Sequence, residues 1–230
     1  MQPEMQMTSQ TADLSLSSTH KVLRNTYMML GLTMIPTVIG AMMGVSMNFS
    51  FMAQHPFMGM IGMLAVMFGL FWGISKNRDS GVGVALLLAL TFFMGLMLGP
   101  ILQVALHLKN GAQLVSMAAG GTGVIFFSLA GIATVTKKDF SFLGNFLFVG
   151  LILLIIASLA NMFFAVPAAS LAISAIAVLI FSGYILFDVS QIVHGGQTNY
   201  IMATLALYLD IYNLFVNLLS LLMSLSGERD

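Results

Sequence analysis

Two carboxylates are the groups in this chain best placed to do chemistry. Six of the eight acidic residues lie near the termini or between apolar runs, whereas Asp188 and Asp210 sit inside long apolar segments. A carboxylate at a bilayer centre costs at least about 2.5–3.5 kcal/mol on insertion scales, so such a residue marks a functional site by default. All eight Lys and Arg fall at segment edges, in connections or near the termini. No cation within the apolar segments can neutralise either aspartate. The two must be protonated, share a proton or hold a cation. Carboxyls close together in a low dielectric titrate as one coupled pair, which is the chemistry of a proton-sensitive cation site. A pair that only ties two helices together is the structural alternative.

Each aspartate belongs to a stripe of small and polar residues. Asn199, Ala203, Ala206, Asp210, Asn213 and Asn217 recur at three- and four-residue steps, as do Ser170, Ser174, Ala177, Tyr184, Asp188 and Gln191 apart from the two-turn, seven-residue step from Ala177 to Tyr184. That period places each set on one helical face, and both faces should turn to each other or to a bundle interior. Tyr184, Asn213 and Asn217 are therefore candidate neighbours of the pair. One geometric obstacle stands against it: about the Gly195–Gly196 turn, ideal straight helices offset the two aspartates by roughly 10 Å at 1.5 Å per residue. Tilt, a longer turn or a late start to the last helix must close that gap.

The elements that carry these stripes follow from composition. The chain is 59% hydrophobic and 7% charged, with a mean hydropathy of +0.99, against about 25% charged in soluble domains. This excludes a soluble enzyme, a disordered chain and a nucleic-acid binder. The absence of Cys removes disulfides, thiolate catalysis and the common structural zinc sites. A bilayer core of about 30 Å needs about 20 apolar helical residues per crossing. Seven windows qualify: Tyr27–Met47, Phe57–Ser75, Val82–Leu106, Leu114–Val135, Phe142–Phe164, Ala168–Val193 and Tyr200–Ser224. Their length and unbroken apolarity exclude a barrel. The expected fold is all-α, a polytopic bundle of seven transmembrane helices over 25–226, behind an N-terminal tail, 1–24, whose Ser, Thr and Gln content predicts disorder.

Lys21, Arg24, Lys76, Arg78, Lys137 and Lys138 all fall on one side of this arrangement, and only Lys109 and Arg229 on the other. The predicted orientation has the N-terminus in the cytoplasm and the C-terminus outside. Residues 1–24 lack the apolar core of a cleavable signal, so the first span is expected to act as an uncleaved anchor.

Glycines four apart occur at Gly40/Gly44, Gly69/Gly73 and Gly95/Gly99, with Gly120, Gly121 and Gly123 clustered in the fourth span. Such spacings let helix backbones approach closely in lipid, and packing within the bundle is their expected use. Pro100 lacks an amide donor and should kink the third span. The 20 Met residues are read as adaptable packing rather than a copper path. His20, His55, His107 and His194 stand near segment edges without helical ligand spacing, so no metal site and no cofactor is expected.

Five stretches, STHKVLRNTY (Ser18–Tyr27), GLMLGPIL (Gly95–Leu102), KKDFSFLG (Lys137–Gly144), ILFDVSQIVHGGQTNYI (Ile185–Ile201) and LYLDIYNLFVNLL (Leu207–Leu219), give the chain a resemblance to a known family. From about Ser18 to Leu222 it resembles the seven-span Bax inhibitor family, most closely its bacterial YccA branch. The resemblance implies the seven-helix fold with an inside N-terminus and an outside C-terminus. In some members it also implies a pH-sensitive calcium leak gated by an aspartate pair matching Asp188 and Asp210, with calcium as the transported ion. Channel-type members carry an Arg in the second span that latches this pair, and the second span here has none. The YccA branch implies a different role in the bacterial inner membrane: modulator, inhibitor and slow substrate of the membrane-anchored AAA protease FtsH with its HflKC partner. That protease pulls substrates by a flexible cytoplasmic end of about the length preceding Lys21.

Three functions stay open at this point. The first is regulation of the protease by a stable bundle with a short tail; the second is a calcium leak through Asp188 and Asp210. The third is an intramembrane aspartyl protease, which the sequence disfavours because Leu207, Tyr208 and Leu209 stand before Asp210 where that family has a GxGD motif. The chain is therefore expected not to be an enzyme.

Overall fold

The structure is a computed structural model describing residues 3–49, 54–136 and 138–227. Lys137 and Arg229, used in the charge count above, lie outside the described residues. Among the described residues the fold is built of eight helices: α1 (Pro3–Ser46), α2 (Pro56–Lys76), α3 (Gly81–Met97), α4 (Gly99–Leu106), α5 (Gly111–Thr136), α6 (Leu143–Phe164), α7 (Pro167–Val193) and α8 (Tyr200–Gly227). Seven stretches of them are long and apolar enough to cross a membrane, with α3 and α4 together making the third. Their limits fall within a few residues of those expected, apart from the first, which begins at Thr19 rather than Tyr27.

Two local features have simple causes. The third span breaks at Leu98, where Pro100 occupies the first turn of α4 and cannot supply an amide to continue α3. The other is that α1 runs unbroken from Pro3, so backbone expected to be disordered over residues 3–24 is helical here. Once a membrane span supplies the nucleus, each added residue costs only propagation. This segment has no Gly, and its one Pro stands at the first helical position, where a missing amide is harmless.

Around α8 the other helices are gathered: it touches α1, α2, α3, α4, α5 and α7. Its Leu207, Tyr208 and Leu214 are fully buried, together with Leu87 and Leu90 of α3 and Ile185 and Val189 of α7. A smaller apolar cluster joins α4, α5 and α8 through Leu102, Leu114 and Leu219, and another joins α6 to α7 through Leu147, Leu154 and Ile180. Two helices are peripheral. Among the described residues α6 packs on α7 alone, and α2 on α3 and, lightly, α8. Phe68, Trp72, Phe127 and Phe163 point outward from the bundle, which suits a lipid-facing surface and would be an aggregation liability in water.

Three connections meet at one end of the bundle. Asn199 donates to Arg78 O at 2.9 Å and to Asp79 Oδ1 at 2.7 Å, joining the start of α8 to the α2–α3 turn. Its Oδ1 accepts the amides of Ile201 and Met202, capping α8. Ser190 near the end of α7 accepts the Phe140 amide at 2.9 Å and donates to Lys138 O, and Gln191 donates to Ser141 Oγ at 2.7 Å. Lys76, Arg78 and Lys138 therefore share a face of the molecule with the α7–α8 turn. Lys76 also lies 4.9 Å from the Trp72 ring centroid, the aromatic-and-cation pairing of a membrane interface.

Candidate functional site

Asp188 and Asp210 come together. Their carboxyl groups lie within side-chain hydrogen-bonding reach of each other, although Asp188 stands five residues before the end of α7 and Asp210 ten after the start of α8. Those positions correspond to an axial difference of about 7.5 Å at 1.5 Å per residue. Side-chain direction helps to close it. Cα–Cβ bonds tilt toward a helix N-terminus, and α7 and α8 are antiparallel neighbours, so Asp188 leans away from the connecting turn while Asp210 leans down toward it. The turn itself is six residues long: Gly195 takes φ +75°, the Gln197 amide returns to Gln191 O at 3.0 Å, and α8 starts only at Tyr200.

Asp210 is buried at 6% exposure and Asp188 half-buried. The Oδ2 atom of Asp210 is shielded from solvent and meets no hydrogen-bond donor among the described residues. Two carboxylates can bond each other only through a proton that one of them carries. No Lys or Arg lines the cavity that contains the pair.

That cavity, of about 830 Å³, is walled by Met67, Phe68 and Phe71 of α2, by Leu151, Leu154 and Ser158 of α6, and by α7 and α8. Tyr184, Asn213 and Asn217, the expected neighbours, all line it. Asn213 donates its amide to Leu209 O and Asn217 to Asn213 O, both at 2.8 Å. One N–H of each NH₂ group is thus spent on its own helix, and each side chain keeps its acceptor oxygen and a second N–H. A second, smaller cavity of about 200 Å³ reaches Asp188 from the side of the α7–α8 turn, past Gln191, Gly196 and Gln197.

The glycine pairs divide. Gly40 and Gly44 of α1 face Gly95 and Gly99 of the third span: a Cβ built on Gly40 would strike Phe92 O, one on Gly95 would strike Thr37 O, and those on Gly44 and Gly99 would lie 2.5 Å from Leu96 O and Gly44 O. Gly69 has nothing within 4 Å of such a Cβ, and Gly73 only the Leu86 Cδ1 at 3.1 Å. In the fourth span Gly120 and Gly123 are likewise open. Pro100 stands beside the close seam, one residue after Gly99.

Sequence reasoning missed the polar contacts that tie this seam to α8. Tyr208 Oη lies 2.9 Å from Thr37 Oγ1 and donates to Thr91 O at 3.3 Å, and Thr37 Oγ1 also reaches Thr91 O at 3.2 Å. Gln103 Nε2 reaches Val45 O and Met47 O at 2.9 Å, satisfying carbonyls left over at the end of α1. A lone Gln or Tyr in an apolar run was the available signal.

Seven membrane-length spans, with five of the first six packed against the last and paired carboxyls in the final two, define a polytopic α-helical membrane protein with an intramembrane acid pair. The chain belongs to the family described as Inhibitor of apoptosis-promoting Bax1, which it matches over residues 19–227. It is 44% identical over 208 residues to a protein of Escherichia coli strain K12 named Modulator of FtsH protease YccA, covering 90% of this chain and 92% of the other. It is 43% identical over 204 residues, 89% of each chain, to an uncharacterized membrane protein of Vibrio cholerae. An uncharacterized protein of Neisseria meningitidis is 40% identical over 213 residues, 92% of this chain and 94% of its own. With seven apolar helices and a relative named Inner membrane protein YccA, this is a multi-pass protein of the bacterial inner membrane.

Proposed function

We propose that the protein is an inhibitor and slow substrate of the inner-membrane FtsH protease, acting where that protease is joined by HflKC. The observation that carries this reading is the 44% identity, across nine-tenths of both chains, to a protein named as modulator of FtsH. In this reading the N-terminal segment is cytoplasmic and gives the protease its starting end. The bundle behind it resists extraction, because α8 is held by six other helices. Orientation by charge supports this, since the connections carrying Lys76, Arg78 and Lys138 are bonded together on one face. Deleting Met1–Leu16 removes the starting end but keeps Lys21 and Arg24. Pulse-chase turnover in protease-competent cells should show a longer half-life and stronger inhibition of FtsH. An unchanged half-life overturns the role given to the tail.

The meeting of Asp188 and Asp210 favours a second, compatible reading as a proton-sensitive calcium leak. Reconstituted protein should then pass calcium in a pH-dependent way between pH 5 and 8, and Asp188→Asn and Asp210→Asn should each change that dependence without loss of folded protein. Absent flux, or flux identical in all three proteins, returns the pair to a structural role, with an amide replacing the shared-proton bond.

A further inference from the structure

The cavity around the acid pair is open to the side. α2 and α6 form its two flanks, yet they make no contact with each other among the described residues. Phe68 of α2 and Ile155 of α6 stand at the opening with 67% and 51% of their surfaces exposed. A path therefore leads from the lipid, between two apolar walls, to Asp188 and Asp210. At its end acceptors predominate: the oxygens of two carboxyls, one of them buried and lacking any donor, and the side-chain oxygens of Asn213 and Asn217 outnumber the remaining Asn N–H groups, the shared carboxyl proton and the Tyr184 hydroxyl. An ammonium group supplies three donors and a positive charge, and has no acceptor to leave unpaired.

We propose that the cleft between α2 and α6 binds a lipophilic monoamine, an alkyl chain ending in a single ammonium, taken up sideways from the bilayer. The head lies between Asp188 and Asp210 while the tail runs out past Phe71, Leu154 and Ser158. Charge complementarity selects this occupant over an ordinary zwitterionic lipid, whose phosphate would enter with no Lys, Arg or His on the cavity wall to meet it. The apolar walls select it over a bare hydrated cation, which gains nothing from them. The cavity, at about 830 Å³, is within the usual range of about 300–1,000 Å³ for small-molecule sites. The site does not depend on the protease reading.

The test is equilibrium binding of radiolabelled dodecylamine to the full-length protein in phosphatidylcholine nanodiscs, with empty nanodiscs subtracted. Saturable binding near one per chain is expected, with dodecanol and propylamine competing at least tenfold more weakly. The double substitution D188N/D210N should weaken binding at least tenfold. So should Ser158→Trp, which fills the cleft from an exposed position on α6 and leaves the buried contacts of the bundle untouched. No binding above empty nanodiscs overturns the proposal. Equal competition by dodecanol removes the charge from it, equal competition by propylamine removes the tail, and undiminished binding to the Ser158→Trp protein moves the site elsewhere.

Discussion

Two regions of the bundle are built on opposite principles. Along the seam between α1 and the third span, glycine backbones press against carbonyl oxygens so closely that Gly40, Gly44, Gly95 and Gly99 leave no room for a methyl group. Across the bundle, α2 and α6 stand apart around a cavity: among the described residues α6 touches α7, and α2 touches α3 and, lightly, α8. Helices in lipid gain little from apolarity alone, since acyl chains are as apolar as Leu. The seam is therefore held by contact and by the Thr37–Tyr208–Thr91 hydrogen bonds, while the cleft stays available to whatever its two carboxyls attract.

The largest expected effect comes from forcing a side chain into the seam. Gly95→Leu must displace the Thr37 backbone rather than a flexible side chain, at a cost of about 3 kcal/mol or more, beyond the usual overpacking range of about 1–3. Gly69→Leu carries the same sequence signature on the open flank and should change stability by no more than about 0.5 kcal/mol. Unfolding of both variants in detergent micelles gives the comparison directly, and equal losses would mean that the seam is no tighter than the flank.

Of the seven spans, position was legible in composition because entry into a membrane depends on summed apolarity, which needs no knowledge of neighbours. The polar stripes on α7 and α8 likewise pointed at each other, because few other partners exist for an acid in lipid. Neighbour choice was not legible. Gly40/Gly44, Gly69/Gly73 and Gly95/Gly99 look alike along the chain, and only the contacts made by α1 tell the first and third from the second. Gln103 and Tyr208 escaped attention for the same reason: their partners, Val45 O, Met47 O and Thr91 O, are backbone carbonyls, and every residue has one.

A smaller effect probes how far polar contacts hold the seam. Tyr208→Phe removes the hydroxyl that links α8 to Thr37 and Thr91, and should cost about 1 kcal/mol, the net value of a typical hydrogen bond. Paired with Thr37→Val in a double-mutant cycle, the two losses should be non-additive, since the groups share one network. Strict additivity would separate them.

The smallest effect lies outside both regions, in the connection before α6. Asp139 accepts the Ser141 amide at 2.8 Å, and its hydrogen bonds to Ser141, with a lesser contribution from His194, hold its carboxyl below the ordinary 3.8. A lowered folded-state value means that its contribution to stability is present above the unfolded pKa and fades as pH falls through the folded one. The residue is fully exposed, so only a shallow loss of thermal stability is expected on acidification below pH 4, and Asp139→Asn should flatten it. A slope unchanged by the substitution would assign the acid sensitivity to other carboxyls.

The tight link between α6 and α7 has a consequence for how the protein is made. Ala165 adopts a left-handed φ of 49°, Asn161 clasps the turn by accepting the Val166 amide at 3.0 Å and donating to Ser170 Oγ at 2.6 Å, and among the described residues α6 packs against α7 alone. A helix with one partner, and that partner next in the chain, is complete as soon as the ribosome has delivered α7. The pair can leave the translocon as a finished hairpin, before α8 exists, so the acid of α7 waits in lipid for its counterpart with one flank of its future chamber already built.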